Sequence, residues 1–101
     1  MTQAIRKREA EIAQAVSVYL YEAGGIATIA QIRRALPHYL ELNDNDRCPS
    51  LTRSGEEVWE QQVRNIVCHR DSDGNPIKNG EFIYSPRRLQ LADGPQGELF
   101  E

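Results

Sequence analysis

The chain has 101 residues, of which 40% are hydrophobic and 27% charged, and its formal net charge is −3. That length and balance suit one small soluble domain in which few apolar side chains can be wasted. No apolar run approaches a bilayer span, and the opening "MTQAIRKREAEIAQAV" is too charged and amphipathic for a secretory signal, so no membrane is expected and the cytoplasm is the default address.

From Thr2 to Ala23 the apolar positions Ile5, Ile12, Val16, Tyr19, Leu20 and Ala23 recur at spacings of three, four and seven, the pattern of an amphipathic helix with one buried stripe. Tyr19 and Tyr21 point to different sides, so this helix could serve both the core and a contact with a second copy in a homodimer. Gly24 and Gly25 end it. A very short extended segment follows, and then Ile29, Ile32, Ala35 and Leu36 share one helical face until Pro37 closes it. Asn43, Asp44, Asn45 and Asp46 form a polar cluster typical of turns and caps, and Cys48, Pro49 and Ser50 continue a loop.

The next helix is expected over residues 54–70. Ser54 and Glu57 stand in the S-x-x-E relation of a capping box. At ~100° per residue, Trp59, Val63, Ile66 and Val67 fall on one side, with Gln61, Arg64, Asn65 and Cys68 opposite. Trp59 reads as a core anchor, because an indole brings so much apolar area to a small interior. After it, "DSDGNPIKNGEF" is a loop of tight turns. "FIYS" and "LQLA" then alternate as strands do and form a hairpin over residues 82–92, with Arg87 and Arg88 near its tip. The remainder, residues 93–101, has the composition of a flexible acidic tail.

Helix, short strand, helix, helix, hairpin is the order of a winged helix-turn-helix: an α+β fold, mainly α, with three or four helices and a C-terminal β-hairpin wing, here spanning residues 1–92. The runs "GGIATIAQIRRALPHYLELNDNDR" and "SGEEVWEQQVRNIVCHR" also resemble the N-terminal winged-helix domain of Mrr-type restriction endonucleases, in which a Gly-containing turn, an amphipathic helix, a Leu-x-x-x-D step and a "vW-x-x-x-V" helix recur. The resemblance covers residues 24–70. It departs at "RDSDGNPIKNG", which separates helix from wing where the family turns quickly, and no nuclease domain follows. What it implies is therefore a DNA-binding module rather than the cutting activity, serving as a regulator of transcription or as a recognition part of a restriction-modification system.

On that reading Gln61, Arg64 and Asn65 face base edges of double-stranded DNA, since Arg forks onto guanine and Gln or Asn onto adenine. Thr52, Arg53 and Ser54 at the helix start, with Arg87 and Arg88 on the wing, hold phosphates, helped by the positive end of the helix dipole. Glu56, Glu57 and Glu60 oppose this. So does the net charge, although the acid is concentrated in residues 41–60 and in the tail. The plainer reading of the polar face is a solvated exterior, and the alternative function is a winged helix that binds protein and not DNA.

No catalytic constellation is expected. Cys48, Cys68, His38 and His69 match no zinc spacing, "DSDGN" lacks the closing carboxylate of a calcium loop, and Cys68 and His69 point ~100° apart on a helix. The two cysteines read as free thiols, and neither an enzyme nor a cofactor is expected. In the tail, "QGELF" resembles the Q-x-x-L-F peptide with which bacterial DNA-processing proteins dock on the sliding clamp, which would make Gln96 a polar lock and Leu99 and Phe100 apolar anchors.

Overall fold

A computed structural model describes residues 9–51 and 54–92, which form three α-helices and a three-stranded antiparallel sheet, an α+β arrangement that is mainly helical. Helix α1 (Glu9–Glu22) buries Ile12, Val16 and Leu20, with Ala13 and Ala15 widening the stripe. Ile5 and the expected start of this helix lie outside the described residues. Ala23, expected in the stripe, is instead exposed just past the helix end. There the Gly25 N–H donates to the Leu20 carbonyl at 2.7 Å and the Gly24 N–H to that of Tyr21 at 3.4 Å. This is the Schellman termination, which needs a left-handed residue at its hinge; Gly24, at φ 93°, supplies it without a Cβ penalty.

The chain then forms β1 (Ile26–Thr28) and passes directly into α2 (Ile29–Ala35). Thr28 caps that helix reciprocally: its hydroxyl accepts from the Gln31 N–H at 3.0 Å, and the Gln31 side chain accepts from the Thr28 N–H at 2.9 Å. Pro37 does not simply end the helical path. It sits at the start of a 3-10 turn (Leu36–His38), where a missing N–H does no harm, and the turn carries Leu36 into the core. Beyond it Tyr39 packs edge-on against Tyr19, with ring centroids 5.5 Å apart, and donates its hydroxyl to Glu22 at 2.7 Å.

Asn43 and Asp46 lock the following turn. Each side chain accepts from the other's backbone N–H, at 2.9 and 3.0 Å, and Asp46 is almost fully buried. Helix α3 spans Val58–Cys68, shorter at both ends than the 54–70 expected. Ser54 lies in an exposed turn before it, next to Gly55 at positive φ, so Ser54 cannot cap the helix. The cap falls one box later in sequence: Glu60 accepts from the Glu57 N–H at 2.8 Å. Trp59, Val63 and Ile66 face α1 and α2 in the core, with Val58 also buried and Val67 packed at the margin.

At the far end of α3, buried Asn75 donates to the Ile66 carbonyl at 2.9 Å and accepts from the Ile77 N–H at 2.8 Å. One side chain thus satisfies a helix-terminal carbonyl and pins the 71–80 loop. The loop delivers the chain to β2 (Phe82–Ser85) and β3 (Arg88–Leu91), joined through Pro86 and Arg87. The hairpin forms where the alternation placed it, but β3 also pairs with β1, giving the order β1-β3-β2. In this register Ala27, Leu89 and Tyr84 line up across the sheet's inner face, with Leu89 wholly buried at its centre. Among the described residues, no helix is long and apolar enough to cross a membrane.

Two measurements check this account. Asn75→Ala leaves the Ile66 carbonyl buried without its donor and should cost about 1–3 kcal/mol in urea unfolding. The hydrogen bond to Glu22, followed by desolvation and the charge of Glu22, raises the Tyr39 pKa above the usual phenol value. The stabilising bond is therefore present at pH below the unfolded phenol's pKa and is lost as pH rises through the higher folded value. Alkaline titration of tyrosine absorbance should show one late-ionising phenol that returns to the ordinary range in Glu22→Gln.

Candidate functional site

Helix α3 presents its polar side next to the hairpin, and three neighbours decide which groups are available there. The first is the 46–50 segment. Cys48 and Asp46 carbonyls accept from the Val58 and Trp59 N–H groups, at 2.8 and 3.0 Å, while the Glu60 and Gln61 N–H groups turn back to the Glu57 carbonyl. The opening amides of α3 are therefore all occupied, and none of them is open to a phosphate. Thr52 and Arg53 lie outside the described residues. Glu57, at the cap, takes the indole Nε1–H of Trp59 at 2.9 Å and pairs with Arg47 at 3.3 Å. Buried Trp59 thereby satisfies its one polar atom.

The second neighbour is α2. Arg33 Nη2 lies 3.1 Å from Glu60 Oε2 and 3.7 Å from Glu56 Oε2, and Arg64 pairs with Glu56 through both its Nη2 and its Nε, the latter at 3.4 Å. Two guanidinium groups and two carboxylates thus alternate across the α2–α3 seam. Glu56 is the deepest of them, its side chain only 10% exposed, against 32% for Arg64. The hydrogen bond that Arg64 donates to Glu56, joined by the charge of Glu56 and only partly offset by desolvation, raises the Arg64 pKa and keeps the guanidinium charged. The Arg33 Nε is shielded from solvent and has no partner among the described residues.

The third neighbour is the hairpin. A cleft of about 270 Å³ opens between it and the C-terminal half of α3, lined by Ile29, Arg64, Val67, Cys68, Tyr84 and Arg87. Arg70, just past the helix, lies over the Tyr84 ring at 5.2 Å from its centroid and donates to the Val67 carbonyl at 3.0 Å. Arg87 and Arg88 are exposed, and neither has an ion-pair partner among the described residues. Arg87 holds φ 67°, a left-handed conformation unusual for a residue with a long side chain, and its carbonyl accepts from the Ile29 N–H at 2.8 Å. The hairpin tip is thus tied to the start of α2, which fixes the cleft.

The expected base-reading residues do come together on α3, though in different conditions. Gln61 accepts from the Ser50 hydroxyl at 2.6 Å, Arg64 is forked onto Glu56, and the half-buried Asn65 side chain has no hydrogen-bond partner among the described residues. Ser54 is set apart from the helix. Arg70 was missed by the sequence reading, and its position two residues beyond the helix, before an Asp- and Gly-rich loop, gave no periodic signal. Gln96, Leu99 and Phe100 lie outside the described residues. Among the described residues, no group of three or more His, Cys, Asp and Glu side chains is placed to hold a metal ion. No protein-family model matches the chain, and no match was found among curated proteins or solved structures.

The ion-pair chain has a stability consequence. Arg33→Ala should lower stability by about 1 kcal/mol, the upper end for exposed pairs rather than the several kcal/mol of a fully buried one. The loss, read from urea unfolding, should shrink as salt is raised.

Proposed function

We propose that this protein is a small winged-helix DNA-binding module of the cytoplasm, in which the polar side of α3 enters the major groove and the β2–β3 hairpin is the wing against the phosphates. The order of elements supports this, together with the three-stranded sheet in which β1 closes on β3. The observation that carries the reading is the sorting of charge along α3. Carboxylates gather at its N-terminal end, where Glu56 and Glu60 are compensated by Arg33 and Arg64, and the exposed cations Arg70, Arg87 and Arg88 lie at its C-terminal end and on the hairpin. A duplex approaching that second end meets cations on two elements. The net charge of −3 is thus no bar to a local basic surface.

The conformation of Arg87 favours the same reading. Glycine would hold φ 67° at lower cost, and here the chain carries a guanidinium at the exposed tip instead. On this reading Arg64 and Asn65 supply base contacts, Gln61 joins them once Ser50 yields, and Arg87, Arg88 and Arg70 supply phosphate contacts. The resemblance to the winged-helix domain of Mrr-type restriction endonucleases fits a restriction-system recognition module or a regulator.

A second reading rests on a different observation. Ile26 and Ile83 both stand opposite Gln90 in the sheet register and are exposed, a pair of apolar side chains on the outer face that suits a protein partner.

Fluorescence anisotropy with short duplexes over a salt series separates the two. A DNA reader should lose affinity steeply as salt rises. Arg64→Ala should cost about 1–3 kcal/mol on a preferred sequence, and Arg88→Ala should weaken all duplexes alike and reduce the salt slope by about 1. Arg87→Gly should fold at least as stably as the parent, gaining up to about 1 kcal/mol, yet bind DNA less tightly. Absence of DNA affinity at low salt, with the Arg87 and Arg88 variants silent, favours the protein-binding reading.

A further inference from the structure

We infer that Glu56 is a positioning residue for Arg64, holding one edge of its guanidinium so that the other end is presented from α3 to the N7 and O6 acceptors of a guanine. The inference rests on the DNA-binding reading and specifies how that reading gains sequence preference.

A guanidinium carries five N–H donors in one rigid plane. The Nε and Nη2 edge of Arg64 is taken by the two oxygens of Glu56. Both Nη1 hydrogens and the second Nη2 hydrogen remain, and one Nη1–H with that Nη2–H forms the end-on fork whose spacing suits guanine. Nη1 has no partner among the described residues, and Arg33 Nε is the one buried side-chain polar atom without a partner among them, so solvent reaches the Arg64 Nη1. One edge of the guanidinium is thus occupied and its other end is left open.

Glu56 is suited to hold rather than to compete. Its carboxylate is nearly buried, Arg33 stands 3.7 Å away, and its backbone carbonyl accepts from the Ser50 N–H at 2.8 Å. The backbone of Glu56 is thus tied to the 46–50 segment, and its carboxylate has a second cation beside it. An unrestrained arginine loses rotamer freedom when it docks, whereas Arg64 has lost much of it already. The compensated charge also matters. With Glu56 and Glu60 set against Arg33 and Arg64, this end of the helix offers little net attraction to phosphates, and what Arg64 adds is directional hydrogen bonding.

The test uses the full chain and a duplex selected from a random pool, with each guanine in turn replaced by 7-deazaguanine, which lacks the N7 acceptor. In the parent, one such replacement should weaken binding about tenfold or more. In Glu56→Gln that penalty should fall to about threefold or less, while affinity for random duplex rises because a negative charge is gone. In Arg64→Ala the penalty should be absent, and adding Glu56→Gln should change it no further. Arg64→Lys, which keeps the charge but cannot fork two ways, should lose the penalty as well, and if Glu56→Gln fails to fold, the behaviour of the Arg64 Nε–H in the parent complex decides the positioning role. In the parent, the Arg64 Nε–H resonance should stay protected in the DNA complex. An undiminished or larger penalty in Glu56→Gln, or loss of the Nε–H signal on binding, overturns the positioning role while leaving DNA binding intact. A parent that binds duplex with no guanine-specific penalty does the same, and a parent with no salt-dependent affinity overturns both readings.

Discussion

An eleven-residue helix has little stability of its own in water, so α3 persists because of what surrounds it. Trp59, Val63 and Ile66 are driven inward against α1 and α2, and the end groups of the helix are taken up by other parts of the chain. Cys48 and Asp46 carbonyls receive its first amides, and the Asn75 side chain serves one of its last carbonyls. Both closures are made by polar loops, residues 43–50 and 71–80, whose composition suggests only turns. Their contribution is to hold α3 in one rotation about its axis, so that the polar side faces away from the core beside the hairpin. Which side chains α3 presents depends on that rotation.

The electrostatic arrangement follows from the same packing. Once Trp59 is fixed inward, Glu56 and Glu60 are carried to the α2–α3 seam, where unpaired carboxylates at low exposure would be costly. Arg33 from α2 and Arg64 from within α3 meet them there. The two acids of the middle of the sequence that reach this seam, Glu56 and Glu60, are thus compensated inside the fold. Cations without ion-pair partners among the described residues are found where the hairpin meets the C-terminal half of α3, and the net charge of the chain conceals this separation.

Much of the fold was legible because it depends on local periodicity. The spacing of Ile12, Val16 and Leu20, the glycine stop at Gly24, and the alternation through Phe82–Ser85 and Arg88–Leu91 each carry their own signal. What the sequence hid depends on partners distant in the chain. Ser54 and Glu57 satisfy the capping pattern as well as Glu57 and Glu60 do, and only the bridge between Pro49 and Glu57, with the loop it anchors, decides that the helix starts at Val58. The Thr28–Gln31 box is legible as T-x-x-Q at the point where the short extended segment gives way to the helix. The pairing of β1 with β3 closes a loop of about sixty residues, for which no local pattern exists. For the candidate site, Arg64 and Asn65 could be placed on one face by angle alone, but the Glu56–Arg64 pair spans eight positions across a helix start and has no helical spacing to betray it.

The hairpin and α3 are therefore not independent parts that happen to lie side by side. The Arg87 carbonyl accepts from the first residue of α2, β3 joins the strand that leads into α2, and Arg70 at the end of α3 rests on Tyr84 of β2. Two of these connections fix the hairpin against β1 and α2 and the third sets it against the end of α3, through hydrogen bonds and a cation over an aromatic ring. A surface built in this way has its cations spaced before any ligand arrives. Preorganisation of that kind reduces the conformational entropy lost on binding, which matters most for a domain whose net charge gives it no long-range pull toward a polyanion. On the DNA-binding reading the net charge supplies no long-range steering, and the salt-sensitive attraction comes from phosphate contacts made at close range by the exposed cations, so that a guanidinium already fixed in place, such as that of Arg64, counts for more than a mobile one.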